Sequence, residues 1–278
     1  MAKRRLDSLL AERGLFSSRA RAAASIMAGD VLLGAGERRA SKPGELVEEG
    51  ERLRVRARPA FVSRGGEKLA NALDSSGLGV GGRRALDVGA STGGFSDCLL
   101  QRGAESVIAV DVGYGLLAWR LREDPRVQVL ERTNARSLEP AMLSYAPDLA
   151  VVDVSFISLG KVLAAVLACM APRYDVLALV KPQFEVGRGR VGKGGVVRDA
   201  GDRRGALVAV GEAALALGAA VDSYHSSGLP GPKGNRESFI WLSDPAHASE
   251  RAVSARALAA GGEATGAALE RLAREVEP

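Results

Sequence analysis

The chain has 278 residues, 46% hydrophobic and 26% charged, enough to fill a core and, at about 150 residues per domain, to make about two domains; whole-chain disorder is excluded. Its 38 Lys and Arg against 33 Asp and Glu give a formal charge of +5, but residues 1–64 alone hold 14 basic and 8 acidic residues and the remainder stands at −1. A small basic segment joined to a nearly neutral body points to a polyanion-binding module attached to something else.

In chain order, Leu6, Leu9 and Leu10 recur at helical spacing and Gly14 ends the turn. Ser17 and Ser18 are candidate caps of a second helix that carries Ala22, Ile26 and Met27 and stops at Gly29. Residues 31–33 predict a strand, Lys42-Pro43-Gly44 a turn, and Leu53-Arg54-Val55-Arg56 an alternating strand with arginines on one face. Together they make a small basic α+β domain over 1–58, in which Arg4, Arg5, Arg19 and Arg21 are candidate phosphate contacts. Residues 59–66, with Ser63-Arg64-Gly65-Gly66, read as a linker, and helical character resumes over 67–73. From Arg84 onward apolar strands alternate with helices, at 85–88, 107–110, 127–130, 149–152, 176–180, 220–224 and 239–242. That alternation predicts an α/β, doubly wound, Rossmann-like domain over 67–244, with a parallel sheet and a ligand beyond the carboxyl ends of its strands. Residues 245–278, rich in Ala, Glu and Arg with a Gly261-Gly262 break, read as a peripheral helical tail.

Cys98 and Cys169 lie far apart in apolar stretches and read as buried, reduced thiols. The longest apolar run, Val162 to Met170, falls far short of the roughly 20 residues a membrane span needs, and the basic N-terminus lacks an apolar signal region, so a soluble cytoplasmic protein is expected. His225 and His247 form no ligand cluster, so no metal is expected, and Tyr114, Trp119 and Trp241 lack a stacking pattern and are assigned to the core.

The sharpest motif is Asp87-Val88-Gly89-Ala90-Ser91-Thr92-Gly93-Gly94-Phe95, at the end of the first strand of the larger domain. Glycines there let the backbone approach a ligand, and the next helix offers its N-terminal N–H groups. The spacing is not that of the dinucleotide fingerprint. Asp111 ends the next strand, at about the 20-residue offset of a carboxylate that holds ribose hydroxyls, and Asn134 follows the third strand. The combination favours an adenosyl ligand over a plain tight turn with a solvated Asp. Its candidate contacts are Asp87, Gly89, Ala90, Ser91, Gly93, Gly94, Phe95, Asp111, Asn134 and Asp153. Asp153 and Lys181, at the ends of the fourth and fifth strands, should face the same cleft. Lys68 and Glu237, taken singly, read better as surface salt bridges at loop starts.

Residues 5–60 resemble the S4 RNA-binding domain in Arg5-Leu6-Asp7, Arg13-Gly14, Ser18-Arg19, Gly29-Asp30-Val31 and Lys42-Pro43-Gly44; residues 61–243 are similar to FtsJ-type ribose methyltransferases. The whole resembles the TlyA family of ribosomal RNA cytidine 2′-O-methyltransferases, often labelled haemolysins. The likeness is close in Val62-Ser63-Arg64-Gly65-Gly66-Glu67-Lys68-Leu69, Asp111-Val112-Gly113-Tyr114-Gly115, Val152-Asp153-Val154-Ser155-Phe156-Ile157-Ser158, Lys181-Pro182-Gln183-Phe184-Glu185 and Gly192-Lys193-Gly194-Gly195-Val196. The resemblance implies a Lys68-Asp153-Lys181-Glu237 catalytic tetrad, S-adenosyl-L-methionine as cofactor, and ribosomal RNA, in a subunit or an assembly intermediate, as partner. The RNA expected is 23S, with 16S as a second candidate; only Met1-Ala2-Lys3-Arg4 precede the first helix, where family members differ with the subunit they modify. Arg64 and the glycine-rich basic segment with Arg188, Arg190 and Lys193 are further RNA candidates. An RNA-binding factor that merely holds the cofactor, a pore former and a dinucleotide oxidoreductase are the competing readings.

Overall fold

The computed structural model describes residues 3–56, 59–248, 252–253 and 265–277, apart from the Arg188 side chain. It divides into two units, Met1–Ala60 and Phe61–Pro278. Residues 57–58, at the expected domain edge, and the Gly261-Gly262 break lie outside the described residues.

In the smaller unit, β1 (Lys3–Arg5) leads directly into α1 (Leu6–Glu12), and α2 (Arg19–Met27) follows. Ser18 caps α2, its side chain accepting from the Arg21 N–H at 3.2 Å. Strands β2 (Val31–Leu33), β3 (Arg38–Arg39), β4 (Leu46–Glu48) and β5 (Leu53–Val55) complete it. β1 pairs antiparallel with β4, and β2 lies between β3 and β5. Of these, β1, β3 and β4 are not expected from the sequence; they put charged residues at Lys3-Arg4-Arg5, Arg38-Arg39 and Glu48, without the apolar run that marks β2. Leu6, Leu10, Ile26 and Val31 fill the core.

The larger unit starts with α3 (Arg64–Ser76), three residues earlier than expected. Residues 64–66 are therefore helix rather than linker. Their glycines serve close packing: a β-carbon on Gly66 would stand 2.8 Å from the Gly94 carbonyl oxygen. The remaining elements are β6 (Arg84–Val88), α4 (Gly94–Gln101), β7 (Ser106–Val110), α5 (Trp119–Arg122), β8 (Val127–Leu130), β9 (Leu149–Val152), α6 (Leu163–Ala168), β10 (Asp175–Val180), α7 (Pro182–Glu185), α8 (Ala200–Ala216), β11 (Ala220–Ser226), β12 (Ser238–Ser243) and α9 (Thr265–Arg274).

The seven strands run in the order β11-β12-β10-β9-β6-β7-β8. All seven strands expected from the sequence are present, but the sheet is not wholly parallel: β12 is antiparallel to both its neighbours. The connection from β11 to β12, with Pro230 and Pro232, contains no helix, and a parallel return needs a longer crossover. Side chains alternate between two cores. Leu149, Val151, Leu177 and Leu179 pack under α3 and α4; Ala150, Val152, Val176 and Ala178 pack under α6, α8 and α9. Helix α9 is thus no peripheral tail, since Leu269 and Leu272 are buried against the second core. Tyr114 and Trp119 are corrections too: both are exposed, at 68% and 72%, because they sit in the open loop after β7 and at the start of the short α5. Trp241 is half-buried and donates to Asp175 at 2.9 Å. Both cysteines are buried, and burial pushes the Cys98 thiol up to about 11.

β6, the first strand of this sheet in the chain, has β7 and β8 on one side and β9, β10, β12 and β11 on the other. The loops after β6 and β9 therefore diverge and leave a crevice, the usual ligand position in such folds.

Candidate active site

The loop after β6 forms one wall of that crevice. Gly89 has φ +86°, and a β-carbon there would stand 2.3 Å from the Asp153 carbonyl oxygen, so the two loops can approach only through glycine. Ser91 also holds a positive φ, +49°, a strained conformation for a side-chain-bearing residue. Its N–H donates to Asp111 Oδ2 at 2.7 Å, and the Gly113 N–H donates to Asp111 Oδ1 at 2.6 Å. These bonds orient the Asp111 carboxylate at the rim of a cavity of about 1040 Å³ that Asn134 also lines. Asn134 caps the next turn, its Oδ1 accepting from the Arg136 N–H at 3.0 Å.

Two residues assigned to the cofactor lie elsewhere. Asp87 is wholly buried inside the strand layer and accepts from the Ser96 N–H at 2.8 Å and the Ser96 hydroxyl at 2.6 Å. It anchors the start of α4 instead of meeting a ligand. Its other oxygen has no hydrogen-bond partner among the described residues, and burial pushes the carboxyl up to about 7. Gly93 turns toward the core: a β-carbon there would stand 2.3 Å from Leu121 Cδ1 and 2.7 Å from Leu117 Cδ1. Its glycine is needed for packing. Gly89, Ala90, Ser91, Gly94 and Phe95 do line the crevice, in a second cavity of about 760 Å³ that shares Asp153, Phe156 and Gln183 with the first.

Lys68, Asp153, Lys181 and Glu237 all line this second cavity. Lys68 comes from the second turn of α3, Asp153 and Lys181 follow the adjacent strands β9 and β10, and Glu237 precedes β12. They form two ion pairs. Lys181 Nζ lies 2.6 Å from Asp153 Oδ1 and donates to the Ser155 hydroxyl at 2.8 Å. Lys68 Nζ pairs with Glu237 Oε2, and both residues are over nine-tenths buried. Charges this buried persist only when paired.

Ser155, Phe156, Lys233 and Asn235 line the same cavity and were not singled out individually by the sequence reading. Phe156 has φ +64°, is 91% exposed and lies 5.3 Å from the Phe184 ring, between the two cavities. The strained φ and exposure of an aromatic side chain have no signature in a sequence pattern.

The basic candidates differ in availability. Arg4 pairs with Glu12 at 2.6 Å, and Arg5 and Arg19 both reach Asp7, at 3.0 and 3.2 Å. The guanidinium of Arg5 first, and that of Arg19 with it, hold the Asp7 carboxyl well below the usual carboxylate range. Arg21 is exposed with no ion pair among the described residues. Arg64 lines the 760 Å³ cavity, Arg190 pairs with Asp202 at 3.4 Å, and Lys193 is exposed; the Arg188 side chain lies outside the described residues.

Residues 61–244 match the FtsJ-like methyltransferase family. The chain is 49% identical over 261 residues, 93% of its own length and 96% of the other's, to the 16S/23S rRNA (cytidine-2′-O)-methyltransferase TlyA of Mycobacterium tuberculosis. It is 40% identical to a protein of Brachyspira hyodysenteriae named Hemolysin A, over 70% of this chain and 81% of that one. A solved structure from Streptococcus thermophilus with a provisional haemolysin name matches 99% of this chain and 96% of that one, at 36% identity and a TM-score of 0.69. Among the described residues no helix is long and apolar enough to cross a membrane.

Proposed function

The chain belongs to the FtsJ-like methyltransferase family, and from that premise we propose that it methylates the 2′-hydroxyl of cytidine in ribosomal RNA, 23S first and 16S as a second candidate, free in a subunit or in an assembly intermediate. The observation that carries this reading is the convergence of Lys68, Asp153, Lys181 and Glu237, drawn from four separate elements, on one cavity beside the glycine loop.

The residues fit S-adenosylmethionine. Gly89 lets the loop after β6 close against the Asp153 backbone on the cavity wall, and Asp111 presents an oriented carboxylate at the offset suited to ribose hydroxyls. Gly89, Ala90, Ser91, Gly94, Phe95, Asp111 and Asn134 would hold the cofactor, which supplies a methyl group on a sulfonium. Asp153, shared by both cavities, stands where cofactor and acceptor would meet.

The task left to the protein is to align the acceptor oxygen and favour loss of its proton. Lys181 assists that loss, its ammonium favouring the negative charge that develops on the oxygen while the proton passes to solvent water. Asp153 and Ser155 fix the direction of Lys181. Lys68, held by Glu237, places the ribose. The N-terminal unit contributes RNA affinity through exposed cations such as Arg21.

The test is tritiated methyl transfer from S-adenosylmethionine to undermethylated ribosomal RNA, with 2′-O-methylation read as resistance of the labelled linkage to alkali. Label on a base, or labelling that survives Lys181→Ala undiminished, rejects the reading.

A further inference from the structure

The cleft carries more positive charge than its ion pairs absorb. Lys68 and Lys181 are matched by Glu237 and Asp153, but Arg64 and Lys233 line the same cavity with no ion pair among the described residues. Among the described residues Arg64 donates only to the Pro230 carbonyl, at 3.1 Å. S-adenosylmethionine is itself a net cation, with a sulfonium and an ammonium against one carboxylate. Unmatched cations beside it oppose its binding by Coulomb repulsion. They suit an anion brought in by the other substrate.

Lys233 also rests on a built support. It lies in a turn closed by the Gly231 N–H donating to the Asn235 carbonyl at 2.8 Å and the Gly234 N–H donating to the Gly231 carbonyl at 2.9 Å. Asn235, 2% exposed, ties this turn to the glycine-rich loop: its Nδ2 donates to the Gly195 carbonyl at 2.8 Å, and its Oδ1 accepts from the Val197 N–H at 2.9 Å. Lys233 Nζ lies 3.5 Å from where a β-carbon of Gly195 would stand. The turn that carries Lys233 is thus clipped to the glycine-rich loop by a buried carboxamide, while the lysine side chain itself is exposed at the seam of the two loops. A lysine that served only solubility would need neither the cavity wall nor the clip.

We propose that Lys233, on the turn that Asn235 ties to the Gly195 loop, is a phosphate subsite that grips a phosphodiester of the RNA strand next to the target nucleotide. This rests on the RNA-substrate reading and adds to it a contact within the larger unit. Lys193, two residues before Gly195 in the same glycine-rich loop, is also exposed.

The experiment uses the full chain and a transcribed ribosomal RNA fragment. Equilibrium RNA binding is measured across a salt series for wild type, Lys233→Gln and Lys233→Arg, with steady-state methyl transfer and calorimetry of S-adenosylmethionine on the same preparations. Loss of one phosphate contact should lower the slope of log affinity against log salt by about one in Lys233→Gln. KM for RNA should rise several-fold while kcat changes less, cofactor affinity should not weaken, and Lys233→Arg should restore the slope. Asn235→Ala should move RNA binding in the same direction; if it does not fold, the Lys233 pair still decides. An unchanged slope and KM in Lys233→Gln overturns the subsite, as does a loss of cofactor affinity as large as the loss of RNA affinity. If the wild type places its label on a base, the ribose reading fails, yet a slope lowered by about one still supports the subsite.

Discussion

In the N-terminal unit Arg4 faces Glu12 and Arg5 and Arg19 share Asp7, so three of the four arginines expected to meet phosphate are engaged by the unit's own carboxylates. In the larger unit, whose charges nearly cancel over residues 65–278, the cations gather at the strand ends, two of them paired and two unmatched, on a single cavity. The comparison teaches that net charge along a chain is a poor guide to charge available for binding. The basic segment neutralises much of its surplus locally, while the neutral body exposes a positive site where the topology opens. The pairs differ in kind as well. Arg4–Glu12 is solvated, with side chains 40% and 50% exposed, whereas Lys68–Glu237 is at 10% and 1%.

The hardest test of this contrast is Lys181→Ala, which, with the lysine in its proposed role on the acceptor oxygen, should cut turnover by about 10²- to 10⁴-fold while leaving S-adenosylmethionine affinity almost unchanged. Removing a second tetrad residue should add little, the outcome expected of four residues proposed to act as a unit. Next, Glu237→Ala strands a buried ammonium and should destabilise the larger unit by about 3–5 kcal/mol, whereas Glu12→Ala, which breaks an exposed pair, should cost about 0–1 kcal/mol in the N-terminal unit. Urea melts with a probe in each unit would report both; equal losses would erase the distinction.

Asp111→Ala should weaken S-adenosylmethionine binding by about one to two decades, the worth of a ribose hydrogen bond to a charged acceptor, measured by calorimetry on folded protein. Acid should then separate the units by sign. Asp7 has a depressed pKa in the folded state, so its contribution is present above its unfolded value and is lost as pH falls toward the folded one. Asp87 runs the other way: with its folded pKa raised to about 7 from an ordinary 3.8, the folded state binds more protons, and stability of the larger unit falls as pH rises from about 4 to 7. Asp87→Asn should flatten that dependence and Asp7→Asn should flatten the acid limb of the other unit. The smallest effect belongs to single arginines of the N-terminal unit. Arg21→Ala should lower the salt slope of RNA binding by about one, and Arg4→Ala by less, because Arg4 already has a carboxylate partner.

The sequence by itself determined the seven strands of the large sheet, the doubly wound plan, the glycine loop with Asp111, and the Asp153–Lys181 meeting at adjacent strand ends. Each of these follows from periodicity or spacing within a few tens of residues, since alternation along a strand records which face it buries. Tertiary structure alone decided the rest. Lys68 and Glu237, 169 residues apart, become a buried pair only because the start of α3 reaches the end of the loop before β12. Asp87 and Gly93 belong to the most ligand-like string in the chain yet face the interior, because within one tight loop neighbouring residues point to opposite sides. Lys233 carries no local signature, and its place on the cavity wall depends on Asn235 closing bonds to a loop about 40 residues away. A pattern within one element reports how that element is buried; which side chains share a cavity is settled by strand order and by the loops that strand order brings together.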